Sequence, residues 1–341
     1  MKYLAPFLIS FLLTVISIFG IILFVGKIKW SGRKNSRHIH NGNISRLGGF
    51  VMILIFNLTV IANKDLVMNP QLYGFIISNI ILLLVCFWDD LREIRWKIQL
   101  FGQIAVSLFV FIMGIRIYFI TNPLDGGIIK LDSGMGTIIS VFLVIFWLII
   151  IMNSINWADG IDGLSGGIAF IAVATIFSLS FHSEVNQPPI AILCAILMGV
   201  ILGFLLFNFH PSKIIAGTTG AMFMGFSLGI LAIFAGTKIA TSLLVMAIPI
   251  IDFFWVIIER FKNKKSIFIP DRNHLHYKLM ELGWSQRKIV LVYWVVAGFI
   301  AFVALNTRAI GKGITLFLVI IIMFFSILII NKKILRIKNE K

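Results

Sequence analysis

Residues 137–163 read TIISVFLVIFWLIIIMNSINWADGIDG. The stretch through Met152 carries no charge and is almost wholly apolar, the kind of run that crosses a bilayer, for which about 20 residues suffice. Asn153, Asn156, Asp159 and Asp162 then follow at three-residue steps. On an ideal helix each such step drifts by about 60°, so Asn153 and Asp162 would face opposite ways while Asn156 and Asp159 share a face. Gly160 and Gly163 offer a helix break that gathers the acids into one pocket. Charges at a membrane edge need partners or a function. Oxygen ligands of this type suit Mg²⁺, which keeps waters and binds substrate phosphates through one or two protein oxygens. The bland reading is a solvated turn between two membrane helices.

The rest of the chain extends the pattern. Of 341 residues, 59% are hydrophobic and 13% charged, against about 25% charged in soluble domains. Apolar runs fall at about 4–25, 48–63, 72–88, 99–115, 137–153, 166–182, 190–207, 218–235, 239–258, 289–305 and 312–330. The expected fold is an all-α polytopic membrane protein with about 11 transmembrane helices, residues 1–341 forming one integral membrane domain. The second and third runs are short, which allows tilt or partial re-entry. The first run has no small-residue cleavage site and reads as a retained helix. Cys86 and Cys194 lie inside apolar runs, too few for a disulfide framework or a metal cluster.

The net charge of +16 does not point to nucleic acid, because the basic residues sit in short loops without interleaved aromatics. With the amino terminus outside, segments 26–47, 89–98, 154–165, 208–217, 259–288 and 331–341 face inward and hold 23 of the 30 lysines and arginines. The positive-inside rule therefore predicts an outer amino terminus and a cytoplasmic carboxyl terminus. WDD at 88–90, NWADGIDG at 156–163, NFHPSK at 208–213 and DRNHLHYK at 271–278 all then fall on the cytoplasmic face. That convergence implies a cleft for a charged, water-soluble substrate.

Each motif has its own chemistry. Asp89 and Asp90 are adjacent carboxylates that repel, suited to a metal, a base or a basic partner; otherwise they are loop acids paired with Arg92 and Arg95. Asn208, His210 and Lys213 precede a glycine-rich helix start whose N–H groups favour phosphate, although glycines also serve close helix packing. In the loop 259–288, Arg272, His274 and His276 can clamp a diphosphate. Alternatively that loop is an amphipathic surface helix burying Leu275, Leu279 and Leu282. Asp252 is a lone acid within a span, after a proline, facing a polar cavity or a cation. His38 and His40 read as solvated.

Taken in order, RLGG at 46–49, DDLREI, the Asn/Asp run of 153–164, GFLLFNFHPSKI and PDRNHLHYKL resemble the polyprenyl-phosphate N-acetylhexosamine-1-phosphate transferase family over nearly the whole chain. The Arg/His loop is similar to the GlcNAc-1-phosphate branch; the phospho-MurNAc-pentapeptide translocases are more distant. The resemblance implies that undecaprenyl or another polyprenyl phosphate attacks the β-phosphorus of a UDP-sugar, giving polyprenyl-diphospho-sugar and UMP. It implies Mg²⁺, or Mn²⁺ in its place, on the diphosphate. It assigns Asp89 and Asp90 as catalytic, and Lys97 to phosphate. Asn156, Asp159 and Asp162 lie around metal and uridine, and Arg272, His274 and His276 hold diphosphate and sugar. Asn208 joins the substrate contacts, and Thr218 stands at a metal position. A bacterial inner (plasma) membrane location and a homodimer are further expectations. The chain departs from the family at AGTTGA, 216–221, where the family reads GDxGS: Thr218 replaces an Asp and Ala221 a Ser. Tyr277 replaces a frequent histidine. A neutral hydroxyl weakens Mg²⁺ binding, so an inactive, binding or scaffold member is the alternative. A transporter or flippase is a third reading, against which stand the one-sided motifs and the absence of an internal repeat.

Overall fold

Long apolar runs have no water to satisfy their backbone, so they close their hydrogen bonds internally as helices. The computed structural model describes residues 1–25, 44–121, 127–182, 185–235, 239–266 and 271–340, and His38 and His40 lie outside them. The elements are α1 (Leu4–Val25), α2 (Gly48–Ala62), α3 (Pro70–Arg92), α4 (Trp96–Ile112), β1 (Phe119–Thr121), β2 (Ile128–Lys130), α5 (Met135–Ala158), α6 (Leu164–Leu179), α7 (Pro188–Asn208), α8 (Gly217–Phe234), α9 (Ile239–Val245), α10 (Ala247–Lys262), α11 (Leu275–Glu281), α12 (Gln286–Asn306) and α13 (Ala309–Asn339). The two strands pair as an antiparallel hairpin between α4 and α5.

Among the described residues seven helices are long and apolar enough to cross a membrane, α1, α3, α5, α7, α8, α12 and α13, with an eighth span if the bent pair α9 and α10 counts as one. The chain is thus an all-α polytopic membrane protein. The three shorter apolar helices are α2, α4 and α6. Each of the eleven apolar runs therefore has its helix, but the ninth is not straight: α9 and α10 meet at 74°. Pro249 sits in the first turn of α10, where its missing N–H and its ring prevent continuation of the preceding helix. The bent span is this one; the third run is a full 23-residue helix, and the second is a short helix of 15 residues.

The centre of the bundle is α7 and α8, most of whose residues are buried. α8 packs against α2, α3, α5 and α6, and α7 against α1, α2 and α6. Trp147 of α5 donates its indole N–H to the Gly229 carbonyl of α8 at 3.0 Å. Outer helices such as α1 and α13 turn apolar side chains outward, as a lipid solvent requires. The chain ahead of α2 runs beside the chain ahead of α8: Ile215 N–H donates to Ser45 O, and the N–H groups of Gly48 and Gly49 donate to Ile215 O and Ala216 O. This pairing carries Arg46 to the start of α8.

Candidate active site

At one end of the bundle the termini of α3, α5, α7 and α10, the starts of α4 and α8, and the segment 271–277 enclose a cleft of about 660 Å³. Asp89 and Asp90 end α3 on its wall. Both Asp90 oxygens accept hydrogen bonds from the first turn of α8: Thr218 N–H at 2.8 Å on one, Thr219 N–H at 3.0 Å and Thr219 Oγ1 at 2.7 Å on the other. The carboxylate thus sits on the positive end of that helix. Gly217 makes the approach possible. Its φ of +68° is left-handed, and a Cβ there would lie 2.6 Å from an Asp90 oxygen. Asp89 is tied as well, accepting from Ile94 N–H at 2.9 Å and Gln99 Nε2 at 2.7 Å.

The Asn/Asp run divides its labour. α5 stops at Ala158 and α6 starts after Gly163, whose φ of +80° makes the turn. Asp162, buried, accepts from Ser212 N–H at 3.1 Å and pairs with His210 Nδ1 at 2.8 Å. Asn208 accepts from Gly163 N–H and donates to Ile214 O, each at 2.9 Å. Asn153 donates to Gln103 Oε1 at 2.8 Å. Asp159 accepts from the Ser165 hydroxyl on one oxygen. Burial pushes the Asp159 carboxyl up to about 7; the Ser165 hydroxyl pulls it down, the charges of Asp90 and Asp162 add to the rise, and Arg46 opposes them.

The far wall is a docked loop. Arg260, buried on α10, meets the Asp271 carboxylate with two hydrogen bonds of 3.1 and 3.0 Å, and its guanidinium lies 4.9 Å from the Trp157 ring. Asp252 accepts from Leu275 N–H at 2.8 Å and pairs with His274 Nδ1 at 2.9 Å. The lone acid of the ninth run therefore anchors the start of α11. The rings of His274 and His276 stack at 5.6 Å. Tyr277 donates to Gly160 O at 3.3 Å. Burial lowers the His276 imidazole to about 3, and the His274 charge adds to the effect against Asp252. α11 does bury Leu275 and Leu279, but against α12 and α13 of the protein itself.

Of the residues that the resemblance assigns to the site, Asp89, Asp90, Asn156, Asp159, Asp162, Asn208, Thr218 and His274 line this one cleft. Three others do not. Lys97 is exposed and lies beside the Trp96 ring. Arg272 is exposed, whereas His276 is buried with its Nε2 packed on Gly160. In their stead the cleft receives Arg46, Gln99, Gln103, Arg260 and Asp271. Gln99 and Gln103 were legible as an i, i+4 pair on one face of α4, and Arg260 as a cation at the end of a span.

The residues present fit a divalent cation of the Mg²⁺ type. Asp159, Asn156 and Thr218 offer hard oxygen donors in the cleft, and the crowding of Asp159 by Asp90 and Asp162 makes the place electrically negative. Among the described residues no three His, Cys, Asp or Glu side chains form a metal cluster. With these few donors, substrate phosphates and water would complete the shell of such an ion.

A membrane bundle with a carboxylate-, amide- and arginine-lined cleft at one end defines a class that handles phosphorylated substrates at the lipid surface. Residues 72–236 match the sequence profile of glycosyl transferase family 4. The chain is 27% identical to a probable undecaprenyl-phosphate N-acetylglucosaminyl 1-phosphate transferase of Bacillus subtilis, covering 95% of this chain and 90% of that protein. It is 29% identical to the decaprenyl-phosphate N-acetylglucosaminephosphotransferase of Mycobacterium leprae, over 80% and 75% of the two chains. It is 30% identical to a phospho-N-acetylmuramoyl-pentapeptide-transferase of Geobacillus, over 85% and 92%. The chain belongs to the polyprenyl-phosphate N-acetylhexosamine-1-phosphate transferases of glycosyl transferase family 4.

Proposed function

We propose that this protein transfers a sugar-1-phosphate, GlcNAc-1-phosphate by preference, from a UDP-sugar to undecaprenyl or another polyprenyl phosphate. The products are the polyprenyl-diphospho-sugar and UMP, and the step opens a cell-surface polysaccharide pathway at the bacterial plasma membrane. The observation that carries the reading is the meeting of Asp89, Asp90, Asn156, Asp159, Thr218 and His274 in one cleft from distant parts of the chain. The names of the two GlcNAc-phosphate relatives support it. The excess of lysine and arginine in the loops on this side supports a cytoplasmic cleft, where nucleotide sugars are found.

An oxygen of the acceptor phosphate forms a bond to the β-phosphorus, and the bond from that phosphorus to the bridging oxygen breaks, its electrons leaving with UMP. A phosphate monoester has a second pKa near 6, so the nucleophile is already ionised at neutral pH and no strong base is required. This agrees with Asp90, whose two oxygens are taken up by α8. The barrier is the meeting of two anions, so cations and in-line placement do the work. Arg46 and Arg260 supply cationic groups along the cleft. Asp89 and Asp90 fix the ends of α3, α4 and α8 around it. A Mg²⁺ ion held by Asp159, Asn156 and Thr218 would neutralise diphosphate charge.

The test is UMP release by membranes carrying the protein, over a panel of UDP-sugars, with and without Mg²⁺. The expected result is Mg²⁺-dependent release, fastest with UDP-GlcNAc. No release with any donor would overturn the reading in favour of a binding member without turnover, which Thr218 in the place of the family's acid favours.

A further inference from the structure

The buried pair of Asp252 and His274 lies at the edge of the cleft, and the function proposed above leaves Asp252 without a role. Both side chains are nearly inaccessible, at 9% and 7% exposure. Asp252 stands on α10, just beyond the bend made at Met246, and so reaches the loop that closes the cleft. Each of its oxygens has a defined partner: Leu275 N–H at 2.8 Å on Oδ1 and His274 Nδ1 at 2.9 Å on Oδ2. An ionised carboxylate only accepts. The proton between Oδ2 and Nδ1 therefore belongs to the imidazole. That fixes the ring as the form protonated at Nδ1, because the hydrogen bond made by one ring nitrogen decides the state of the other. His274 lines the cleft, and with Nδ1 engaged, Nε2 is the nitrogen left for a ligand there. The ring plane is set by stacking on His276 at 5.6 Å and by an edge contact with Trp157 at 5.3 Å.

We propose that Asp252 is a positioning residue of the transfer reaction: it holds His274 protonated at Nδ1 and fixes the ring, so that Nε2 is presented in the cleft as an acceptor for a hydroxyl of the substrate. The inference rests on the transferase reading for its catalytic part and on the pair geometry alone for its structural part. A ring with only Nδ1 protonated turns the Nε2 lone pair into the cleft, where a substrate hydroxyl can donate to it and a phosphate oxygen cannot. Other ionisable groups facing the pair are His276 from α11, Tyr293 from α12, Asp271 from the loop and Arg260 from α10; Arg260 is committed to Asp271, burial keeps the Tyr293 phenol neutral, and the buried His276 stays neutral near pH 7.

Asp252→Asn separates this role from mere packing. Asparagine keeps an oxygen for Leu275 N–H, so the loop stays docked. Its amide then turns a donor toward Nδ1, which forces the opposite tautomer, protonated at Nε2. The first measurement is ¹⁵N-histidine NMR of the full protein in nanodiscs, the His274 signal among the six histidines being identified by its loss in His274→Gln. Wild type is expected to show Nδ1 protonated, and Asp252→Asn to show the Nε2–H tautomer. The second is kcat/KM for UMP release, where Asp252→Asn is expected to lose about tenfold or more, as removal of an orienting partner does. The same substitution in a His274→Gln background is expected to cost less than twofold, since the group it positions is gone. An unchanged tautomer in Asp252→Asn, or losses that simply multiply in the double variant, would overturn the inference. If wild type releases no UMP, the transferase reading fails by itself while the NMR measurement still decides the pair.

Discussion

Asp90→Asn should cost stability as well as activity, and the size of the first effect follows from three bonds. Asp90 accepts from Thr218 N–H, Thr219 N–H and Thr219 Oγ1 at 2.7–3.0 Å. Asparagine keeps a single oxygen. In its better orientation that oxygen serves Thr219, and the amide then faces the Thr218 N–H, donor against donor. One buried N–H is left unsatisfied, at about 1–3 kcal/mol. The carboxylate's attraction to the α8 amino terminus is also lost, adding about 1–2 kcal/mol at a partly buried helix end. Relief of burying a charge returns part of this, leaving a net loss of about 2–4 kcal/mol. The assay is thermal denaturation of the purified protein in one detergent, followed by the fraction remaining monodisperse, beside UMP release from the same preparation. At about 2 °C or more per kcal/mol, the midpoint should fall by roughly 4 °C or more, with the rate reduced in parallel. A rate lost with a midpoint unchanged would refute the reasoning, because Asp90 would then act on the substrate and not on α8.

Three further outcomes are expected. In Gly160→Ala the new methyl collides with His276 Nε2 and lies 2.6 Å from the Tyr277 hydroxyl; the docked loop should shift, lowering UMP release at least tenfold and exposing the segment to protease, whereas an intact, active protein would show that the loop adapts freely. Burial raises the Asp271 carboxyl, but the Arg260 hydrogen bonds, the Asn273 N–H and the guanidinium charge outweigh it and hold the group below the usual carboxylate range. Its contribution is complete above the unfolded value near 4 and is lost as pH falls through the folded value, so Asp271→Asn should flatten the fall of the thermal midpoint below pH 4, and an identical acid limb would remove Asp271 from the account. Thr218→Asp adds a carboxylate at the cleft wall and should lower the Mg²⁺ concentration for half-maximal UMP release; an unaltered Mg²⁺ dependence would take position 218 out of the metal site.

The membrane helices were legible because length and hydropathy alone decide them: every apolar run carries a helix. The bend before α10 was not, since a proline in a first turn is equally at home in an uninterrupted sequence of spans. Side-chain direction was the second limit. Lys97 and Gln99 are two residues apart near the start of α4, about 200° around the helix. Once Trp96 begins that helix, Gln99 faces Asp89 and Lys97 faces away. A motif supplies the neighbourhood of a site, but the phase of the helix selects which of its residues enters. The loop shows the same effect across distance: Arg272 points outward, and the guanidinium in the cleft comes from Arg260, eleven residues before the Asp271 that it grips.

The acids at this membrane edge have one use in common that their spacing did not reveal. Asp90 accepts the first N–H groups of α8, Asp252 the N–H of Leu275 at the start of α11, and Asp162 the N–H of Ser212. Asn208 does the same for Gly163 before α6. A helix start leaves N–H groups without partners, and at the end of a packed bundle water reaches them poorly. Acids and amides from neighbouring spans fill that need and tie the ends of the spans together, which is how a cleft of this shape holds its form. Asp162 and Asn208 are thereby committed to structure although they line the cleft. Asp159, bonded by Ser165 on one oxygen only, is then the carboxylate best placed to meet a cation, with Asn156 and Thr218 beside the same space. If the proposed cation binds there, Thr218 in the place of an acid leaves it one charged oxygen fewer, and a carboxylate at that position would tighten its hold.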